Sequence, residues 1–140
     1  MRSRSCPIIE AIQNVDERGS LDLYCLDDKA PFKVSRVFII SNVPEGVTRG
    51  GHAHRSVDEL LVVVKGRVRV DLRVGQEART VFLEGSRQGL YLPPMVWASQ
   101  TFYDDAVMIV LASGDYNVED HINDFACLSG NLGDIEACVQ

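Results

Sequence analysis

Three side chains in this 140-residue chain have types and spacing that suit them to chemistry: His52 and His54, two positions apart, and Glu59, five further on. Gly46 and Gly66 bracket them. On an extended strand, side chains two apart point to the same face, so the His52-Ala53-His54 string sends both imidazoles to one side of a sheet. An imidazole with an ordinary pKa of about 6.5 can take up and return a proton at neutral pH. Glu59 has odd separation from His54. It joins the pair only if the chain turns between two strands, at residues 55–58, and Gly66 is then expected to end the second of them at a hairpin. Two imidazoles and a carboxylate also suit a transition metal as a facial triad. From the residues alone, proton transfer and metal binding both stand open.

The elements that must hold these groups are strands. Val68, Val70, Leu72 and Val74 alternate with Arg67, Arg69, Asp71 and Arg73, the pattern of a strand with one buried and one solvated face. Strand-like segments also run at residues 21–26, 34–41, 59–64, 79–83, 89–92 and 106–112, separated by Gly, Pro or Asp. Short strands at this spacing predict a sandwich or small barrel. One helix is predicted, over residues 118–125, with Ile122 and Phe125 on one side and Asn117 as its cap. His121, on that helix, is expected at the surface.

Composition narrows the field further. Fourteen Lys and Arg against 20 Asp and Glu give a net charge of −6, which argues against nucleic acid as a partner, since such modules carry a basic patch or stripe. Of the cations, eleven are Arg, whose planar fork grips phosphate or carboxylate through two hydrogen bonds. Cys6, Cys25, Cys127 and Cys138 form no CxxC pair and read as thiols in a reducing compartment. The longest apolar run, residues 60–64, is far short of the ~20 residues that cross a bilayer, and the start lacks a signal segment. A cytoplasmic protein with no membrane partner is expected. Its 140 residues read as a single domain, a barrel at about 16–115 followed by a helical segment at about 117–140.

The spacing from Gly46 to Gly66 is that of the first cupin motif, and the chain resembles one cupin group in particular. That group is the WxcM-like sugar 3,4-ketoisomerases, which act on dTDP-4-keto-6-deoxy-glucose. The matching stretches are Asp16-Glu17-Arg18-Gly19-Ser20-Leu21, Pro31-Phe32, Arg36-Val37, Arg49-Gly50-Gly51-His52-Ala53-His54, Gly89-Leu90-Tyr91, Pro94-Met95-Val96-Trp97, and residues 107–113 with Tyr116, Asp120 and Ile122. The resemblance implies an all-β cupin or jelly-roll small β-barrel with a short C-terminal helix. It also implies a homodimer, with exchange of N-terminal strands, acting on a dTDP-linked ketosugar without metal or other cofactor.

By the same resemblance, His52 and His54 are the acid/base pair. The chemistry is self-consistent, because a hydrogen next to a ketone is acidic. A base removes it from C3 to give an enediol(ate), and reprotonation at C4 leaves the ketone at C3. Arg49, at the entry of the histidine strand, is expected to grip the diphosphate. Arg18 and Arg36 are further candidates, with pairing to Asp16 or Asp22 as their alternative. Trp97 is expected either to wall the sugar pocket or to be core, and Glu59 adds a carboxylate beside the substrate.

The chain also departs from the family pattern. Phe38-Ile39 stands where a tyrosine is common, and Ala98 follows Trp97 where a histidine is common. That histidine is also the later ligand of metal cupins. Asp58-Glu59 replaces the usual Glu-Gln. Tyr24, Tyr91 and Tyr103 are candidates to supply the missing phenol. Two other functions remain open, a non-catalytic sugar-nucleotide-binding cupin and a metal-dependent cupin enzyme.

Overall fold

In the computed structural model, which describes residues 5–26, 32–115 and 117–125, the described residues form ten strands. They are β1 (Ile8–Glu10), β2 (Ile12–Asp16), β3 (Gly19–Leu23), β4 (Arg36–Ile40), β5 (Thr48–His54), β6 (Glu59–Val74), β7 (Glu77–Glu84), β8 (Gln88–Leu92), β9 (Trp97–Ala112) and β10 (His121–Ile122). The two 16-residue strands β6 and β9 run antiparallel and organise the rest. The first part of β6 and the last part of β9 are flanked by β8 and β1 on one side and β4 on the other. The remaining parts are flanked by β7 on one side, and by β5 and then β10 on the other. Two layers result, joined through the long pair: a jelly roll whose sheets do not close into a barrel.

The bend that divides the layers lies at Gly66. Its φ is 71°, and a Cβ there would stand 2.6 Å from Ala106 Cα and 2.7 Å from the Asp104 carbonyl oxygen. Opposite it, Asp104 and Asp105 also have positive φ, and the β6–β9 register shifts between Val63 and Arg67. Only glycine fits so close an approach in that conformation. The hairpin expected at Gly66 is therefore absent. The two strands expected around it are one bent strand, because β9 accompanies both halves.

The core lies between the layers. Val68, Val70 and Leu72 point inward with Phe102 and Leu83, while Arg69 and Arg73 lie on the outer face. Each fully buried side chain of this kind contributes about 1.5–3 kcal/mol relative to exposure. In its first half β6 is buried on both faces, since Leu60 and Val62 pack with Ile9 and Tyr91 outside the main core. The hairpin of β2 and β3 forms a two-stranded sheet of its own and exposes Ile12, Val15, Leu21 and Leu23.

The helix expected over residues 118–125 is not formed. Asn117 does cap, its Oδ1 accepting from Glu119 N at 3.0 Å, but what it caps is a single 3-10 turn, Val118–Asp120. β10 follows directly and pairs with β5, His121 opposite His54 and Ile122 opposite Ala53. Pairing with the edge of β5 outweighs a weak amphipathic pattern whose Val118 and Ile122 are β-branched. The rest of the expected helical segment, 126–140, lies outside the described residues. No described helix is long and apolar enough to cross a membrane.

Candidate active site

Between the layers lies a cavity of about 410 Å³. The sheet containing β4 lines it with Phe38, Ile40, Leu61, Met108 and Val110, together with Arg36 and Glu59. The sheet containing β5 lines it with Arg49, Gly50, His52, His54, Gln100 and His121. One wall is thus largely apolar and the other polar. Strand alternation delivers the first: on β4, Arg36, Phe38 and Ile40 face in while Val37 and Ile39 are exposed. On β5 a register shift between Gly50 and His52 re-aims the strand just before the histidines, as bulges beside active sites do. Gly50 has φ 80°, and a Cβ there would lie 2.5 Å from Gln100 Oε1, so glycine makes room for that amide.

Three imidazoles meet at the polar wall. The rings of His52 and His121 stack with centroids 4.7 Å apart and planes 8° from parallel. His54 meets both edge-on, at 5.0 Å from His52 and 4.8 Å from His121. His54 Nε2 lies 3.3 Å from Glu59 Oε1, and its Nδ1 lies 3.3 Å from Asp120 Oδ2. The turn at residues 55–58 therefore does bring Glu59 to the histidines. Asp120 is itself fixed, its Oδ1 accepting from Ser56 N at 3.0 Å and from Ser56 Oγ at 2.6 Å.

This arrangement drives the protonation states apart. Burial lowers the pKa of His52, and the nearby imidazoles of His54 and His121 lower it further. Burial pulls His54 the same way, but Glu59 and Asp120 more than offset it and the net shift is upward. His121 is lowered, by burial first and then by His54. One imidazole with a lowered pKa stands beside one with a raised pKa, and separated pKa values in one site are how acid and base roles are divided.

Five of the residues singled out in the sequence line the cavity: His52, His54, Glu59, Arg49 and Arg36. Two do not. Arg18 is exposed in the β2–β3 turn and pairs with Asp16 at 2.6 Å, the local alternative to ligand contact. Trp97 packs with Ala53, Met95 and Ile122 and meets Phe125 edge-on at 5.6 Å, so it does not wall the cavity. Nor does any candidate phenol. Tyr24 donates to the Ser86 carbonyl, and burial with Asp22 pushes its pKa up to about 12. Tyr91 donates to Asp58 at 2.5 Å, and Tyr103 lies under Arg67.

His121, expected at the surface, is instead in the site, and Asp120 beside it braces His54. Their sequence signal is faint, because a strand of two residues has no periodicity. Among the described residues, His52, His54 and His121 are the group that could approach a metal, with nitrogens within 4.8 Å of one another. One tetrahedral ion holds nitrogens about 3.3 Å apart. Both nitrogens of His54 also already face carboxylates.

Comparison with known proteins bears on this geometry. The family model described as FdtA, WxcM-like, C-terminal, matches residues 4–129. The TDP-4-oxo-6-deoxy-alpha-D-glucose-3,4-oxoisomerase of Aneurinibacillus thermoaerophilus is 36% identical over 112 residues, 79% of this chain and 81% of that protein. A solved structure of the 3,4-ketoisomerase QdtA from Thermoanaerobacterium thermosaccharolyticum, a histidine-to-asparagine variant in complex with TDP-4-keto-6-deoxyglucose, is similar with TM-score 0.84 and 28% identity. It covers 92% of this chain and 94% of its own. The WlaRB TDP-quinovose 3,4-ketoisomerase of Campylobacter jejuni gives TM-score 0.85 at 27% identity, over 92% of this chain and 100% of that one.

Proposed function

The chain belongs to the WxcM-like family, and on that premise we propose that it is an isomerase that moves the ketone of a dTDP-linked 4-keto-6-deoxyhexose from C4 to C3. The observation that carries this reading is the meeting of His52 and His54, their pKa values pushed in opposite directions, in a cavity large enough for a hexose. His52 takes the C3 hydrogen as a proton, and the electron pair delocalises toward O4. His54, whose cationic form Glu59 and Asp120 favour, stabilises the negative charge that develops. His52 then returns the proton to C4. A positioned general acid or base of this kind is worth about 10²–10⁴-fold. The reaction moves no net electrons, so no redox cofactor is needed.

Arg49 and Arg36 line the cavity and supply cations for the diphosphate. Phe38, Met108 and Val110 offer an apolar surface to the C6 methyl. We propose further that the chain is a homodimer whose exposed β2–β3 hairpin, with Ile12, Val15, Leu21 and Leu23, is covered by a second copy. Arg18 reaches a diphosphate only if that hairpin lies over the cavity of the second copy.

The test is a proton NMR time course with dTDP-4-keto-6-deoxyglucose in the presence of a chelator. The expected result is conversion to a 3-keto product. Binding of the ketosugar by calorimetry with no conversion would leave a binding module. Conversion that stops with chelator and returns with a divalent ion would leave a metal-dependent enzyme.

A further inference from the structure

Resting on that reading, we propose that His121 is a catalytic residue, the one that carries the oxygen proton of the isomerisation. Moving a ketone from C4 to C3 requires two protons to travel, one from C3 to C4 and one from O3 to O4. His52 accounts for the first. His54 is poorly placed for the second, because its Nε2 faces Glu59 and its Nδ1 faces Asp120, each at 3.3 Å, and only 9% of its side chain is exposed. Position 38 offers no hydroxyl, and position 98, directly opposite His52, offers no imidazole. Tyr24 and Tyr91 are engaged away from the cavity.

His121 meets the requirement. It lines the cavity, its ring lies parallel to that of His52 at 4.7 Å, and its backbone is pinned opposite His54 on β10. The preceding residue, Asp120, is tied to Ser56, so the ring is carried on a braced strand. Burial and the neighbouring His54 both favour its neutral form. A neutral imidazole can lend a proton to one oxygen and take one from its neighbour. After the C3–H bond has broken toward His52 and the enolate charge stands at O4 near His54, the N–H of His121 gives its proton to O4. The same nitrogen then takes the O3 hydroxyl proton as the C3 carbonyl forms and His52 delivers its proton to C4. The C3–H and O3–H bonds are broken, C4–H and O4–H are made, and no electrons enter or leave.

The experiment compares the wild-type protein with His121→Gln, His121→Asn and His121→Ala in D₂O with dTDP-4-keto-6-deoxyglucose, following deuterium at C3 of the substrate and formation of the 3-keto product separately. The expected result is that the variants still exchange C3 within a few-fold of wild type while product formation falls by about 10²-fold. KM is expected to stay nearly unchanged, and free imidazole to restore part of the product formation of His121→Ala. Product formation at the wild-type rate would overturn the inference. So would exchange and product falling in parallel, since His121 would then only support His52. If the wild-type protein neither exchanges nor converts, the isomerase reading itself fails, and this inference with it.

Discussion

The two halves of the long β6–β9 pair are built to opposite rules. Beyond Gly66, Val68, Val70 and Leu72 of β6 and Phe102 of β9 are all at most 1% exposed, and the space between the layers is filled by hydrocarbon. Before Gly66, β6 opens with Glu59 and faces β5, which presents His52 and His54. There the layers leave a cavity instead of closing on each other. One half contributes stability through packing. The other packs Leu60 to Val63 as well but borders the cavity and its ionisable groups, and the burial that disfavours charge is what lowers His52, while two carboxylates hold His54 up. The difference shows why the site sits where it does: a filled core cannot hold a substrate, and an open surface cannot shift an imidazole.

If the halves divide their labour in this way, a change in one should leave the other's property intact. The largest effect is expected for His52→Asn, which should lower kcat by about 10²–10⁴-fold with the thermal midpoint nearly unchanged. Phe102→Ala should do the reverse. It should cost about 3–5 kcal/mol in denaturant unfolding, while the folded protein still turns over near the wild-type rate. Loss of activity in Phe102→Ala out of proportion to the unfolded fraction would break the contrast. Arg49→Ala is expected to weaken TDP binding roughly tenfold by calorimetry, as loss of a charge-assisted hydrogen bond does, with a smaller change in kcat.

The smallest effect, and the sharpest test of the charge division, is a shift in pH dependence. Activity that needs neutral His52 falls at acid pH, below the ordinary histidine value of about 6.5. Activity that needs charged His54 falls as pH rises through its raised pKa. Asp120→Asn removes one of the two carboxylates facing His54, leaving Glu59 with the imidazoles of His52 and His121. The alkaline limb of the kcat profile should therefore move to lower pH. Stability follows the same sign: the pairing of His54 with its carboxylates contributes below about pH 6.5 and is lost as pH rises through the folded-state pKa.

Much of this was legible in the sequence because it is written locally. The period of two in His52-Ala53-His54, and in the alternation from Arg67 to Val74, survives folding unchanged. Glu59 needs a turn at residues 55–58 to join them, Arg49 is placed by its position at the strand's entry, and Arg36 is a weaker candidate for the same grip. What was not legible depends on distant pairing. Asp120 and His121 enter the site because a two-residue strand finds the edge of β5, and nothing in residues 118–125 announces that partner. Gly66 reads as a turn, and only the companion strand β9 makes it a bend. Trp97 reads equally as pocket wall or core, and β10 decides for core by bringing Ile122 against it.

The central claim is that His52 and His54, 5.0 Å apart, are held in opposite protonation states. Nitrogen-15 NMR of the imidazoles across pH, with assignments from His52→Asn and His54→Asn, reads this directly. The account predicts a pH range around neutrality in which His54 carries protons on both nitrogens while His52 carries one. Titration of the two together, or protonation of His52 first, would contradict it.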